Sequence, residues 1–361
     1  MTRDGVTVVT GKSKSLGKNW DFEPQNHHTA APSCGQALAS RRHVVTVLMK
    51  IFYTDHYALP LPAGHRFPMS KYSLLRKRVE EAGLAGEEAL REPRAATDEE
   101  ILRAHDRGYL EQIVSGQVSA QELRRIGFPW TPQMVERSRR SAGATIEACR
   151  AALAEGVGVN LAGGTHHAFR DHGEGYCVFN DSAIAALAMQ AESRAGRIAI
   201  LDCDVHQGNG TAAILANDAT VFTFSIHAAK NFPFRKETSD LDIELPDGTG
   251  DAEYLAALEQ GIRHALAAAQ PELVIYLAGA DPYMGDRLGR LSLTKAGLEA
   301  RDRKVFELCG ATSVPVAVAM AGGYSSDIAD TVDIHFSTVE IAASFRRAAQ
   351  RPTSFAAARQ I

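Results

Sequence analysis

From Met49 onward, short apolar runs rich in β-branched residues alternate with longer stretches rich in Ala, Leu and Glu. The runs are KIFYTD, GVGVNLAGG, RIAILDCD, TVFTFSIH, ELVIYLAGAD and VPVAVAMAGG. They lack the polar alternation of a half-exposed strand, which predicts strands covered on both faces. The stretches Met134–Ala154, Asn180–Ala195, Glu253–Ala269 and Thr294–Cys309 predict helices. Strands alternating with helices predict an α/β fold, a mostly parallel sheet flanked by helices on both faces, in one domain spanning 49–346. Residues 1–48 are polar and aperiodic; they are expected to be a disordered extension, or residues added by an upstream start codon, with a short ordered segment as the competing reading. Residues 347–361 are expected to be a C-terminal tail.

Most of these runs end in polar or Gly-rich residues: LAGG runs into THH, ILDCD into VH, YLAGA into D, and VAMAGG into YSSD. Ligands of open parallel sheets bind at the carboxyl ends of the strands, so the pattern predicts one shared site.

Composition narrows the class. The 361 residues are 45% hydrophobic with a net charge of −4. This is an ordinary globular balance, with no electrostatic footprint for direct nucleic-acid binding. No apolar run approaches the ~20 residues that span a bilayer, so the expectation is a cytoplasmic protein with no membrane partner. The five cysteines, Cys34, Cys149, Cys177, Cys203 and Cys309, include no CxxC pair. Reduced thiols are expected rather than a disulfide framework or thiolate metal site.

Candidate chemistry begins at Ile200–Gly210, ILDCDVHQGNG. Alternate residues of an extended segment share a face, which places Asp202, Asp204 and His206 together and Cys203 and Val205 opposite. Carboxylate and imidazole suit Zn²⁺ and similar divalent metals. The alternative is a chance DxDxH in a loop. Asp281 closes the apolar run ELVIYLAGAD, where a carboxylate is costly unless solvated, paired or metal-bound. With Asp204 and His206 it makes a three-ligand set with an open position, as in catalytic zinc sites; otherwise it is a solvated aspartate opening a loop. His166 and His167 follow two glycines and suit general base and acid roles, or are exposed turn histidines. His27–His28 is assigned no role. Tyr324 can donate to a developing oxyanion, or simply pack.

The segments GGTHHA, GYCVFND, DCDVHQGNG, AGADPYMGDRLGRLSLT and AGGYSSD, in this order and spacing, resemble the histone deacetylase superfamily from about Met49 to about residue 345. HQGNG and GDRLG…LS are most similar to the class IV and bacterial members. The resemblance implies the arginase/deacetylase-like fold and a zinc-dependent amide hydrolase, with Fe²⁺ as the alternative metal. It implies Asp204, His206 and Asp281 as metal ligands and His166 and His167 as the proton-handling pair. Asp202 would orient His166, and Tyr324 would polarise the acyl carbonyl. Gly175 and Tyr176 would form the neck of an acyl-lysine channel, with Phe232 as the opposite wall. It further implies K⁺ on the backbone carbonyls of Asp202, Asp204, His206, Ser225 and Ile226.

Two departures stand out. Asn209 occupies a position where some classes place an aspartate facing His167; an amide orients an imidazole without charging it, so His167 is expected to be less basic than His166. No equivalent precedes THH for the rim aspartate that grips the substrate backbone in class I enzymes; RRIGFPWTPQ occupies that region. The expected substrate is an acyl-lysine protein, most simply acetylated. A small acylated amine, as for an acetylpolyamine amidohydrolase, is the alternative. A binuclear arginase-type hydrolase needs further carboxylates that the sequence does not offer. A non-catalytic acyl-lysine binding module predicts a missing ligand, and every position is filled.

Overall fold

The computed structural model describes residues 7–10, 49–62, 64–84 and 89–349. The strands among them are β1 (Thr7–Thr10), β2 (Lys50–Phe52), β3 (Leu90–Arg91), β4 (Val157–Asn160), β5 (Ile198–Asp202), β6 (Val221–Ala228), β7 (Leu241–Leu245), β8 (Leu273–Leu277) and β9 (Val316–Ala319). They form one sheet in the order β1-β7-β6-β5-β8-β9-β4-β2-β3. Every pairing is parallel except that of β1 with β7.

The helices are α1 (Lys71–Glu81), α2 (Asp98–Ala104), α3 (Arg107–Ser115), α4 (Ala120–Ile126), α5 (Pro132–Glu155), α6 (Asp181–Ala191), α7 (Asn209–Leu215), α8 (Asp251–Ala269), α9 (Lys295–Ala311) and α10 (Ile328–Ala349). Local chemistry sets their ends. The Thr131 hydroxyl accepts from the Met134 N–H at the start of α5, with Pro132 in the first turn, where a missing N–H costs nothing.

The strands explain why their sequences are apolar throughout. In β5, Ile198 and Ile200 enter one core and Ala199 and Leu201 the other; in β8, Ile275 and Tyr276 divide the same way. α2, α3, α5 and α6 cover the first face, and α8, α9 and α10 the second. The expected architecture is therefore present. All six anticipated strands and four anticipated helices are found.

β3 and β7 were not anticipated, because β3 has two residues and β7 (LDIEL) carries two acids. Burial of Asp242 in β7 is made tolerable by donors from Gln207 and Ser239. Of residues 1–48, only 7–10 are described, and they pair along the sheet edge; the remainder of that expectation lies outside the described residues. α10 runs to Ala349, across the expected domain end at 346.

Consecutive connections lead from β5 to β6 on one side and from β8 to β9 on the other. Between β5 and β8 the direction of winding reverses, which opens a crevice beyond their carboxyl ends.

Candidate active site

At that crevice, Asp202 is the last residue of β5, with Asp204 and His206 just beyond it, and Asp281 follows β8. One ligand atom from each of Asp204, His206 and Asp281 lies within 4.8 Å of the others, and all three residues are buried. His206 turns Nδ1 toward both acids, 2.9 Å from Asp204 Oδ1 and 3.2 Å from Asp281 Oδ2. The other acceptors are anchored to backbone: Asp204 Oδ2 takes the Gly322 N–H at 2.7 Å and Asp281 Oδ1 the Val205 N–H at 2.9 Å.

Asp281 Oδ2 is the exception. It is buried and has no hydrogen-bond partner among the described residues; the 3.2 Å approach of His206 Nδ1 is close enough to pair by distance but lacks hydrogen-bond geometry. A buried, unpaired carboxylate oxygen is costly. Gly322 leaves the space around it clear: a Cβ there would sit 1.8 Å from Asp281 Oδ2 and 2.6 Å from Asp204 Oδ2. Two carboxylates, one imidazole and an unpaired inward oxygen fit a divalent metal. The charges agree. Burial lowers the His206 imidazole, but Asp204 and Asp281 outweigh it and hold it at about 10. Burial, reinforced by the Asp204 charge, pushes the Asp281 carboxyl up to about 7. Both directions record a floor rich in negative charge.

The two adjacent histidines come from the loop after β4, with ring centroids 4.1 Å apart. His166 Nδ1 lies 2.6 Å from Asp202 Oδ2. Burial lowers its imidazole, yet the charges of Asp202 and then Asp204 outweigh burial and hold it at about 9. His167 Nδ1 meets Asn209 Oδ1 at 2.7 Å. Burial, then the neighbouring His166 and His206, drive His167 well below the ordinary histidine range. A residue the sequence reading missed, Glu174, lies behind Asn209, its Oε2 accepting from Asn209 Nδ2 at 3.4 Å. A carboxylate only accepts, so it fixes the amide with Oδ1 toward His167; Nδ1 then donates and Nε2 keeps its lone pair.

Tyr324 follows β9 and is 8% exposed. Its N–H donates to Asp286 Oδ2 at 2.6 Å, and its carbonyl accepts from Arg287 Nε at 2.9 Å. Burial, then Asp281 and Asp204, push its phenol well above 10, so it stays a donor. Asp286 and Phe67 were also missed; Phe67 lies 6.0 Å from the Tyr324 ring and 5.2 Å from that of Tyr176.

His166, His167, Glu174, Asp204, His206 and Tyr324 line a cavity of about 740 Å³, which also takes in Gly175, Tyr176 and Phe232. Gly175 has φ +54°, and a Cβ there would lie 2.6 Å from His167 Cδ2 and 3.1 Å from Phe232 Cε1. Glycine therefore leaves the neck open. The Phe232 ring stands edge-on to His167 at 4.9 Å. Ser225 lies in register beside Asp202, with Ile226 next in β6, which makes these backbone segments neighbours.

The model of the "Histone deacetylase domain" matches residues 65–339. The chain belongs to the histone deacetylase family. An uncharacterized protein of Picosynechococcus sp. is 42% identical over 285 residues, covering 79% of this chain and 95% of the relative. Histone deacetylase 2 of Arabidopsis thaliana is 31% identical over 301 residues, covering 79% and 78%. The crystal structure of an HDAC homolog from Aquifex aeolicus superposes with a TM-score of 0.71 at 24% identity, covering 82% of this chain and 84% of that one; this likeness concerns the fold.

Within this deacetylase chain, Arg124, Arg125, Ile126 and Gly127 of RRIGFPWTPQ line the cavity beside Gly175 and Tyr176. The Gly175 N–H donates to the Arg125 carbonyl at 3.1 Å and the Tyr176 N–H to the Ile126 carbonyl at 2.7 Å. The four described cysteines are unpaired and buried, and no helix among the described residues is long and apolar enough to cross a membrane.

Proposed function

We propose that this deacetylase is a metal-dependent amide hydrolase that removes an acyl group, most simply acetyl, from lysine side chains. The convergence of buried ligand atoms from Asp204, His206 and Asp281 within 4.8 Å of one another, with Asp281 Oδ2 lacking a hydrogen bond, carries this reading. Asp204, His206 and Asp281 hold the metal, Zn²⁺ or Fe²⁺. When bound, it supplies Lewis-acid polarisation of the acyl carbonyl and acidifies a water.

The chain's own groups do the rest. His167, neutral with a free Nε2, takes the proton from water as its oxygen attacks the acyl carbon. His166 stays charged against Asp202 and favours the negative charge developing on the carbonyl oxygen. Tyr324 donates to that oxygen. The C–N bond then breaks, the proton passes from His167 Nε2 to the departing amine, and a carboxylic acid and an amine result. Tyr176 and Phe232 wall the lysine stem, and the Gly175 carbonyl accepts the substrate amide N–H. Potassium on the backbone of Asp202, Asp204, His206, Ser225 and Ile226 would stiffen the loop after β5.

The test is bound metal and turnover measured together on purified protein. About one metal per chain and release of acetate from an acetyl-lysine peptide, both lost in Asp204→Ala, are expected. Turnover unchanged in Asp204→Ala overturns the reading.

A further inference from the structure

The cavity mouth is strongly basic although the chain carries a net charge of −4. Arg66, Arg124, Arg125, Lys230, Arg287 and Arg290 line the cavity and are exposed. Of these six, only Arg290 has a carboxylate partner among the described residues, Asp247 at 3.0 Å. Elsewhere on the surface, Arg76, Arg140, Arg263 and Arg303 each pair with an acid one turn away.

The mouth cations are positioned by backbone. Arg287 donates to the carbonyls of Tyr324 at 2.9 Å and Arg66 at 3.3 Å, which orients it without neutralising it. Arg124 and Arg125 are carried to the neck by the backbone bonds that join Arg125–Ile126 to Gly175–Tyr176. Deeper in the same cavity, Lys71 and Arg137 are buried and have no carboxylate partner among the described residues. Lys71 Nζ instead reaches the carbonyls of Ala321 and Gly323 at 3.3 and 3.4 Å. Against these, the carboxylates lining the cavity are Glu174, turned to Asn209, and Asp204 on the metal floor.

We infer that the substrate is an acylated amine with negative charge on the part that stays at the cavity mouth, remote from the acyl group. The inference rests on the hydrolase reading above and adds the substrate's charge class. A concave site walled in low dielectric focuses one sign of potential. An anion entering this mouth gains from several unneutralised cations together, whereas a polyamine or a lysine-rich tail meets their repulsion at the entrance. The anion comes from acidic residues flanking an acyl-lysine or from a carboxylate on a small acylated amine.

Binding to the purified full chain, read by ligand-observed NMR and fluorescence anisotropy, tests this independently of turnover. The small arm compares acetamidohexanoate with N-acetylcadaverine, which share the amide and stem and differ in terminal charge. The peptide arm compares acetyl-lysine flanked by Asp with acetyl-lysine flanked by Lys. The anionic member is expected to bind on the order of tenfold more tightly at low salt. That preference should fall as salt rises and collapse in the exposed double variant Arg124→Glu/Arg125→Glu. Preference in one arm alone names the source of the anion. Equal affinity or a cationic preference in both arms overturns the inference. So does a preference untouched by the double variant, or hexanoate, lacking the amide, binding as tightly as acetamidohexanoate. A chain that prefers the anionic ligands but hydrolyses no amide refutes the hydrolase reading and leaves the charge preference standing.

Discussion

Arg301 Nη1 donates to the carbonyl of Gly279 at 2.5 Å, from a side chain with no exposure. The same nitrogen reaches the Cys203 carbonyl at 3.3 Å, and Nε pairs with Asp302 Oδ1 at 2.8 Å. Asp302 in turn accepts from the hydroxyls of Tyr276 and Thr338, each at 2.5 Å. One buried guanidinium thus ties the backbone leading to Asp204 to the backbone leading to Asp281.

Arg301→Met is therefore expected to destabilise by about 3–5 kcal/mol, because it strands the Asp302 charge in the core. Urea unfolding with metal present measures the loss. Metal affinity should fall as well, since the two loops lose their common tether. Unchanged stability would show the pairing to be idle.

Asp281→Asn keeps the shape of the floor and removes one charge. Bound metal per chain is expected to drop at least about tenfold, given the loss of an anionic ligand. Elemental analysis after gel filtration gives the number. Chelation of the wild type should stop hydrolysis, and added Zn²⁺ should restore it. Full metal occupancy in the variant would remove Asp281 from the ligand set.

Tyr324→Phe deletes one donor and leaves the ring packed on Phe67 and Tyr176. A fall in kcat of roughly 10²–10³, with KM little changed, is expected for the loss of an oxyanion donor. Steady-state kinetics on an acetyl-lysine peptide decides it, and an unaltered kcat assigns the phenol to packing alone.

Glu100 gives a pH signature remote from the site. Burial raises its carboxyl, but bonds from Arg94 and the Thr97 N–H outweigh burial and hold it at about 2, against an ordinary value of 4.5. A carboxyl depressed in the fold stabilises above its unfolded value and loses that contribution as pH falls through the folded one. Stability should decline between about 4.5 and about 2, and Glu100→Gln should flatten the decline. Parallel unfolding curves for the two proteins across that window would contradict the pairing.

That Asp204, His206 and Asp281 meet at one crevice with both histidines, Asp202 and Tyr324 was legible because each sits at the end of an apolar run, where the strand fixes which face it presents. Asn209 was legible from the same stretch. The supports were not. Arg301 and Asp302 read as ordinary charges on an amphipathic helix, since burial of an ion pair leaves no mark in the hydrophobic period. Glu174 and Asp286 act across loops, and their partners, Asn209 and the Tyr324 backbone, lie 35 and 38 residues away. The basic mouth is assembled from four separate segments, whose clustering exists only after folding.

β9 lies between β8 and β4, pairing Val316 with Val157 on one side and with Val274 on the other. On a ribosome, therefore, the middle of the sheet is the last seam to close. Until residue 316 emerges, the nascent chain carries two bare apolar edges, VGVN and LVIYL, each a template for pairing with a neighbouring chain. The histidine-bearing loop beyond β4 cannot be held against the loops that carry Asp204 and Asp281 until that seam is sewn. A chain stopped upstream of residue 316 therefore keeps both edges bare and leaves the two halves of the crevice unjoined.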